Sequence, residues 1–154
     1  KMAIRLVRRS IISFPSPNAL GASLLMRAEL ANRFGIKIKP LYVHTHSSVY
    51  LNVIFGKTDA GGGVMGSLKR QSQEIQGALR VIYKTRTMSP HPVTAHPRVP
   101  AAHMELVRKA FIDMGQTEQG AALLAKVPFK KIGPANLDEY MDLKTWGLEE
   151  FYVK

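Results

Sequence analysis

The chain has 154 residues, 45% of them hydrophobic, no cysteine and a formal net charge of +11. That length supports one domain with a real core, or one domain with an appendage. Disulfides and thiolate metal sites are excluded, and no stretch approaches the ~20 apolar residues of a membrane span.

The charge is uneven: residues 1–112 hold 17 Lys/Arg against 4 acids, whereas residues 113–154 hold 5 against 7. A basic body favours anionic partners, which means nucleic acid, an acidic membrane surface or a small anion. Residues 2–9 contain bases but too short an apolar stretch for a signal peptide, so any export signal is expected outside this sequence.

Residues 1–10 read as a basic lead-in. Ile11–Phe14 predicts a strand. Ser16-Pro17 predicts a helix start, a hydroxyl cap followed by proline in the first turn, and that helix should run to Phe34 and stop at Gly35. Its few polar residues predict burial around most of its circumference. Ile36–Val43 predicts a strand at a sheet edge or with a bulge, because Pro40 interrupts it. Ser47–Phe55 predicts a short buried helix ending at Gly56. A bare strand end over residues 59–64, a polar helix over 65–78 and a strand over 79–86 follow. The alternation predicts an α/β fold with a mainly parallel sheet.

The character changes at Met88. Proline-rich turns bracket a short predicted strand, Val93–Ala95, and two helices are predicted over 101–114 and 117–127. Ala102, Leu106, Ala110 and Phe111 stripe the first helix; Ala121, Leu124 and Ala125 stripe the second. Phe129 to Ile132 and a tail containing Trp146-Gly147-Leu148 complete the chain. The organisation expected is a lead-in (1–10), an α/β lobe (11–87) and a C-terminal helical segment (88–154), with the crossing near residues 87–92.

Two turns carry the functional signal. Pro15-Ser16-Pro17-Asn18 and His44-Thr45-His46-Ser47 each join a strand to a helix, and a helix N-terminus offers free N–H groups and a positive dipole end to an anion. Gly56-Lys57-Thr58 resembles the end of a P-loop, but Leu51 stands where a glycine is required and the triplet closes a helix instead of opening one. Residues 61–66 fit G-x-G-x-x-G, yet no acid follows at the distance that holds a ribose. The bare backbone of Gly62 and Gly63 points instead to a cleft or a packed seam. His44-x-His46 with His91 and His96 lacks a nearby carboxylate, so no metal and no cofactor is expected. There is no nucleophile elbow, no thiol and no carboxylate pair, which argues for binding over catalysis. Arg8-Arg9, Lys37/Lys39, Lys69-Arg70 and Lys130-Lys131 keep a nucleic-acid-binding module as the alternative, although the pairs are scattered and no aromatic residues interleave.

The run from Phe14 to Leu25, then Arg27-Ala28-Glu29-Leu30, Thr45–Tyr50, Asp59–Val64, Leu79–Lys84, His91-Pro92, Gly120–Leu124 and Phe129-Lys130-Lys131 resembles the phosphate/phosphite/phosphonate-binding proteins of ABC importers. The order and spacing carry the likeness more than any one motif does. The resemblance implies the type 2 periplasmic-binding fold, in which two α/β lobes close on the anion. It covers the second lobe and the C-terminal return; the first lobe is not matched. It implies capture of a small anionic solute without catalysis, an ABC permease as partner and an extracytoplasmic location, while the sequence itself leaves the cytoplasm open. A remnant or sensor fragment with no transport role is a further possibility.

Ligand contacts carried over fall on Ser16, Asn18, Ala19, Leu20, Gly21, Thr45, His46, Ser47, Gly62, Gly63 and His91. The family's hydroxyl run is replaced by Ala19, Leu20 and Gly21, which leaves backbone N–H groups to serve. Gly66 and His91 stand where relatives that take amino-phosphonates place carboxylates, so an ammonium-bearing ligand is disfavoured. Without a first lobe, Leu106, Phe111 and Leu124 need cover, which predicts a homodimer, with the C-terminal segment a candidate for exchange between copies.

Overall fold

A computed structural model describes residues 10–127 and 132–154. The lead-in before Ser10, the Arg8-Arg9 and Lys130-Lys131 pairs and Phe129 lie outside the described residues. β1 (Ile11–Phe14) turns Ile12 and Phe14 to one face and Ser13 to the other, the two-residue period of a strand. Ile12 and Phe14 join Leu30 and Ile36 in the buried core. On the opposite face the buried Ser13 hydroxyl lies 3.1 Å from Thr58 Oγ1 and 3.3 Å from the Val49 carbonyl, so its burial leaves no unpaired polar group.

One helix, α1, follows, built of Leu20–Leu24, Leu25–Ala28 and Glu29–Arg33. Its first turn is wide: the Leu24 N–H reaches back five residues to the Ala19 carbonyl and the Leu25 N–H to that of Leu20. The helix begins at Leu20, not at Pro17. Ser16 does not cap it; Ala19 is the cap residue and no side chain bonds there. The Pro17 carbonyl instead accepts from Ser23 Oγ at 3.1 Å and from the Arg27 guanidinium at 2.5 Å, which holds residues 17–18 as a separate turn. Gly35, at φ +62°, stops the helix in the left-handed conformation that glycine adopts without penalty.

β2 (Lys39–Tyr42) pairs parallel with β1, Phe14 opposite Tyr42, and β3 (Ala60–Gly61) pairs parallel on the other side. The order β2-β1-β3 leaves β2 at an edge, where Pro40 costs no ladder bond. Between them lies α2 (His46–Ile54), followed by Gly56 at φ +66°. The polar helix expected over 65–78 is two short helices, α3 (Met65–Lys69) and α4 (Gln73–Ala78), because Ser72 restarts the helix by capping the Ile75 N–H. The strands expected over 79–86 and 93–95 do not form: neither segment has a ladder partner among the described residues. The fold is mixed α/β with a small parallel sheet.

The chain divides into two units. The first runs to Thr87 and takes back Asp142–Lys154; the second is Met88–Met141. In the first, the returning tail is fixed to α1. Asn18 exchanges two hydrogen bonds with the Val153 backbone, at 2.7 and 2.9 Å, and Arg27 donates to the Phe151 carbonyl at 2.7 Å. Trp146 lies under the Arg86 guanidinium, 4.7 Å from its ring centroid. The second unit packs α5 (Ala101–Met114) on α6 (Glu118–Lys126), with Gly120 set so tightly on the Met114 backbone that a Cβ has no room. Leu124 is buried there, whereas Leu106 stays 66% exposed.

Candidate functional site

Parallel strands bring their following turns to one edge of the sheet, where α/β proteins bind ligands. The Val43 N–H bonds the Phe14 carbonyl at 2.9 Å and the Gly62 N–H bonds the Ser13 carbonyl at 2.8 Å, so the three strands end side by side. From this edge leave α1, α2 and the glycine run of residues 61–63. Gly62 lies against the Ala22 carbonyl and the Phe14 ring, and its missing side chain is what allows that approach. A Cβ on Gly63 would stand 2.7 Å from the Tyr50 hydroxyl, and one on Gly21 would stand 3.6 Å from Val64. Of the expected residues, Gly21 and Gly62 thus form a seam between the start of α1 and residues 62–64, and Gly63 continues it against Tyr50 of α2.

The start of α2 is capped. Thr45 Oγ1 accepts from the Ser48 N–H at 3.0 Å and donates to Ser48 Oγ at 2.8 Å. The His46 and Ser47 N–H groups, and those of Leu20, Gly21 and Ala22 at the start of α1, have no hydrogen-bond partner among the described residues. Free N–H groups at a helix start are donors of the kind that suit an anion. The approach to Thr45 is strained. His44 has φ 69°, and the Thr45 N–H bonds the Val43 carbonyl two residues back, a tight turn that a non-glycine residue adopts at a cost.

His46 Nδ1 is buried and unpartnered among the described residues. Burial lowers the His46 pKa, and the Arg70 charge lowers it further. Arg70, at the end of α3, therefore brings positive charge to this corner. Sequence reasoning missed it, noting Lys69-Arg70 only as one of several scattered basic pairs. Beside it Gln71 accepts from Ser47 Oγ at 3.2 Å.

Three expected residues fall elsewhere. Ser16 is exposed on the turn, Asn18 spends both ends of its amide on Val153, and His91 belongs to the second unit. No group of three or more His, Cys, Asp or Glu that could hold a metal is found among the described residues. The one cavity described lies beside β3, has a volume of about 260 Å³ and is mainly apolar; Gly63 lines it, but none of the residues with free N–H groups does.

The sequence matches the family description "ABC transporter, phosphonate, periplasmic substrate-binding protein" over residues 3–140. No curated protein matches it. The small parallel sheet, the turns gathered at one edge and a match over nearly the whole length agree: the chain belongs to the family of phosphonate periplasmic substrate-binding proteins of ABC transporters.

Proposed function

We propose that this chain captures a small phosphate-, phosphite- or phosphonate-like oxyanion, without chemical change, for an ABC importer. The observation that carries the reading is the meeting of strand ends with the unpaired N–H groups of His46 and Ser47 and those of Leu20, Gly21 and Ala22. A fixed array of N–H donors lowers the energy of an anion without reacting with it. His46 and Arg70 add a polar ring and a positive charge at one corner. Gly62 and Gly63 line the seam, Thr45 shapes the α2 start, and Asn18 serves the fold instead of the ligand. His91, in the second unit, is kept as a proposed contact on the resemblance alone.

The working place proposed is outside the cytoplasmic membrane, beside a permease. Among the described residues no helix is long and apolar enough to cross a membrane. Neither the family nor the fold supports a homodimer or an exchange of segments between copies.

The test is a calorimetric titration with methylphosphonate, phosphite, phosphate and sulfate, beside 2-aminoethylphosphonate and a DNA duplex. Saturable binding of a simple oxyanion, with thermal stabilisation that grows with ligand concentration, is the expected result. Binding to DNA alone, falling steeply with salt, would replace this reading with the nucleic-acid alternative.

A further inference from the structure

We infer that Arg70 sets the specificity of the site, and that the oxyanion taken there carries a second acidic group, a carboxylate, on its substituent. The inference rests on the oxyanion reading given above and names the ligand class within it. Arg70 caps the C-terminal end of α3, and its guanidinium turns back one turn along the helix: a Cβ on Gly66 would stand 3.6 Å from Arg70 Nη1. That brings it toward the start of α3, which follows the glycine run at the edge where the strands end. The next residue ties the same end of α3 to the start of α2, through the 3.2 Å bond from Ser47 Oγ to Gln71. The guanidinium therefore shares a corner with the free N–H groups of His46 and Ser47, and its charge is felt by the His46 ring.

That charge has no counter-ion within reach. None of the ion pairs among the described residues includes Arg70. From residue 39 to residue 73 the one acid is Asp59. Its carboxylate accepts from the Ile11 N–H at 2.8 Å, at the end of the parallel strands where β1 begins, away from the edge where the helices leave.

The head of the ligand does not need this cation. The free N–H groups of Leu20, Gly21, Ala22, His46 and Ser47 are donors enough for the three oxygens of a phosphonate. Arg70 is exposed and belongs to a third element, so it stands at the rim. A carboxylate that projects from the head to the rim meets a fork of N–H donors that it can accept in two parallel bonds. An ammonium group there meets like charge, and an alkyl group leaves the fork in water.

The test is calorimetry on the intact chain with methylphosphonate, phosphonoacetate and 2-aminoethylphosphonate, repeated for Arg70→Gln and Arg70→Glu. Phosphonoacetate should bind about tenfold more tightly than methylphosphonate, the worth of one charge-assisted hydrogen bond. Arg70→Gln should cut phosphonoacetate affinity more than methylphosphonate affinity and so erase the difference. Arg70→Glu should invert the order in favour of 2-aminoethylphosphonate. Both variants change an exposed side chain and should melt as the native chain does. Equal binding of phosphonoacetate and methylphosphonate by the native chain would overturn the inference and leave the oxyanion reading standing. An equal loss of both ligands in Arg70→Gln would also overturn it, by placing the guanidinium on the shared head. A preference for phosphonoacetate that survives Arg70→Gln would overturn it as well, and would trace the preference to the basic body as a whole. If none of the three binds, the oxyanion reading falls and the inference falls with it.

Discussion

His44 and His46 stand two apart and behave oppositely. His44 bends the backbone through a conformation that costs most residues about 1–2 kcal/mol, and it bends it just before the cap that opens α2. His44→Gly should raise the melting temperature if the strain serves no purpose. A gain in stability joined to a loss of oxyanion affinity would mean that the strain positions Thr45. His46→Ala should weaken oxyanion binding by about 1–3 kcal/mol in calorimetry, the worth of a hydrogen bond to a charged group, whereas His96→Ala, next to Pro97, should not. Equal effects would remove His46 from the site. The sign of its pH response follows from its lowered pKa. The unfolded chain takes up the proton more readily, so the fold loses stability as pH falls below the ordinary histidine range. A seated anion favours the imidazolium and shifts that pKa back up. Affinity for sulfate, whose charge is fixed over this range, should therefore rise as pH falls, and a flat profile would deny His46 a part. At this scale the sequence was legible where chemistry sits in a local pattern, as in Thr45-His46-Ser47. It assigned Asn18 to the ligand and did not reveal its bonds to Val153, because the partner of that amide is 135 residues away.

The elements were read well where their boundaries are local. Gly35 and Gly56 end helices as expected, and α5 spans the residues predicted for it. The sheet was harder, because pairing is a property of two segments, and residues 79–86 have strand composition with no ladder neighbour among the described residues. That segment is instead tied by side chains. The buried Glu29 of α1 accepts from the Tyr83 hydroxyl, from the Arg86 N–H at 3.2 Å and from Arg86 Nε at 2.7 Å. Burial alone pushes the Glu29 carboxyl up, but the bonds from Tyr83 and Arg86 outweigh it and hold the carboxyl below its ordinary range. With its folded pKa depressed, Glu29 contributes stability that is present above the ordinary carboxyl range and lost as pH falls through the folded value. Glu29→Gln should lower stability by about 1–3 kcal/mol near neutral pH and flatten the acid side of the stability curve. An unchanged acid transition in urea melts across pH would show that the cluster adds nothing. Gly62→Ala tests the seam: its new methyl meets the Ala22 carbonyl and the Phe14 ring, and such overpacking costs about 1–3 kcal/mol. Retained stability together with lost oxyanion affinity would place Gly62 at the ligand instead.

For the molecule as a whole, the α/β class was legible in composition and alternation, and the chain passes from its first unit to its second between Thr87 and Met88. The return of the tail was not readable, since its anchors on Asn18, Arg27 and Arg86 lie far back in the chain. Those anchors make the second unit an excursion that begins and ends on the first. Its two ends are close: the Tyr140 hydroxyl bonds the Pro90 carbonyl at 2.8 Å. Joining two such near points through a short loop costs little more or less entropy than joining them through a long one. Replacing Met88–Met141 by a brief glycine-serine linker should therefore leave the first unit folded, with a cooperative melt. Removing residues 142–154 as well should abolish that melt, because Leu148 and the clips on Asn18 and Arg27 go with them. In engineering terms, Pro90 and Tyr140 are the two posts of a doorway. A fluorescent or enzymatic domain with neighbouring termini could be spliced between them, and its signal would then be wired to whatever the first unit grips.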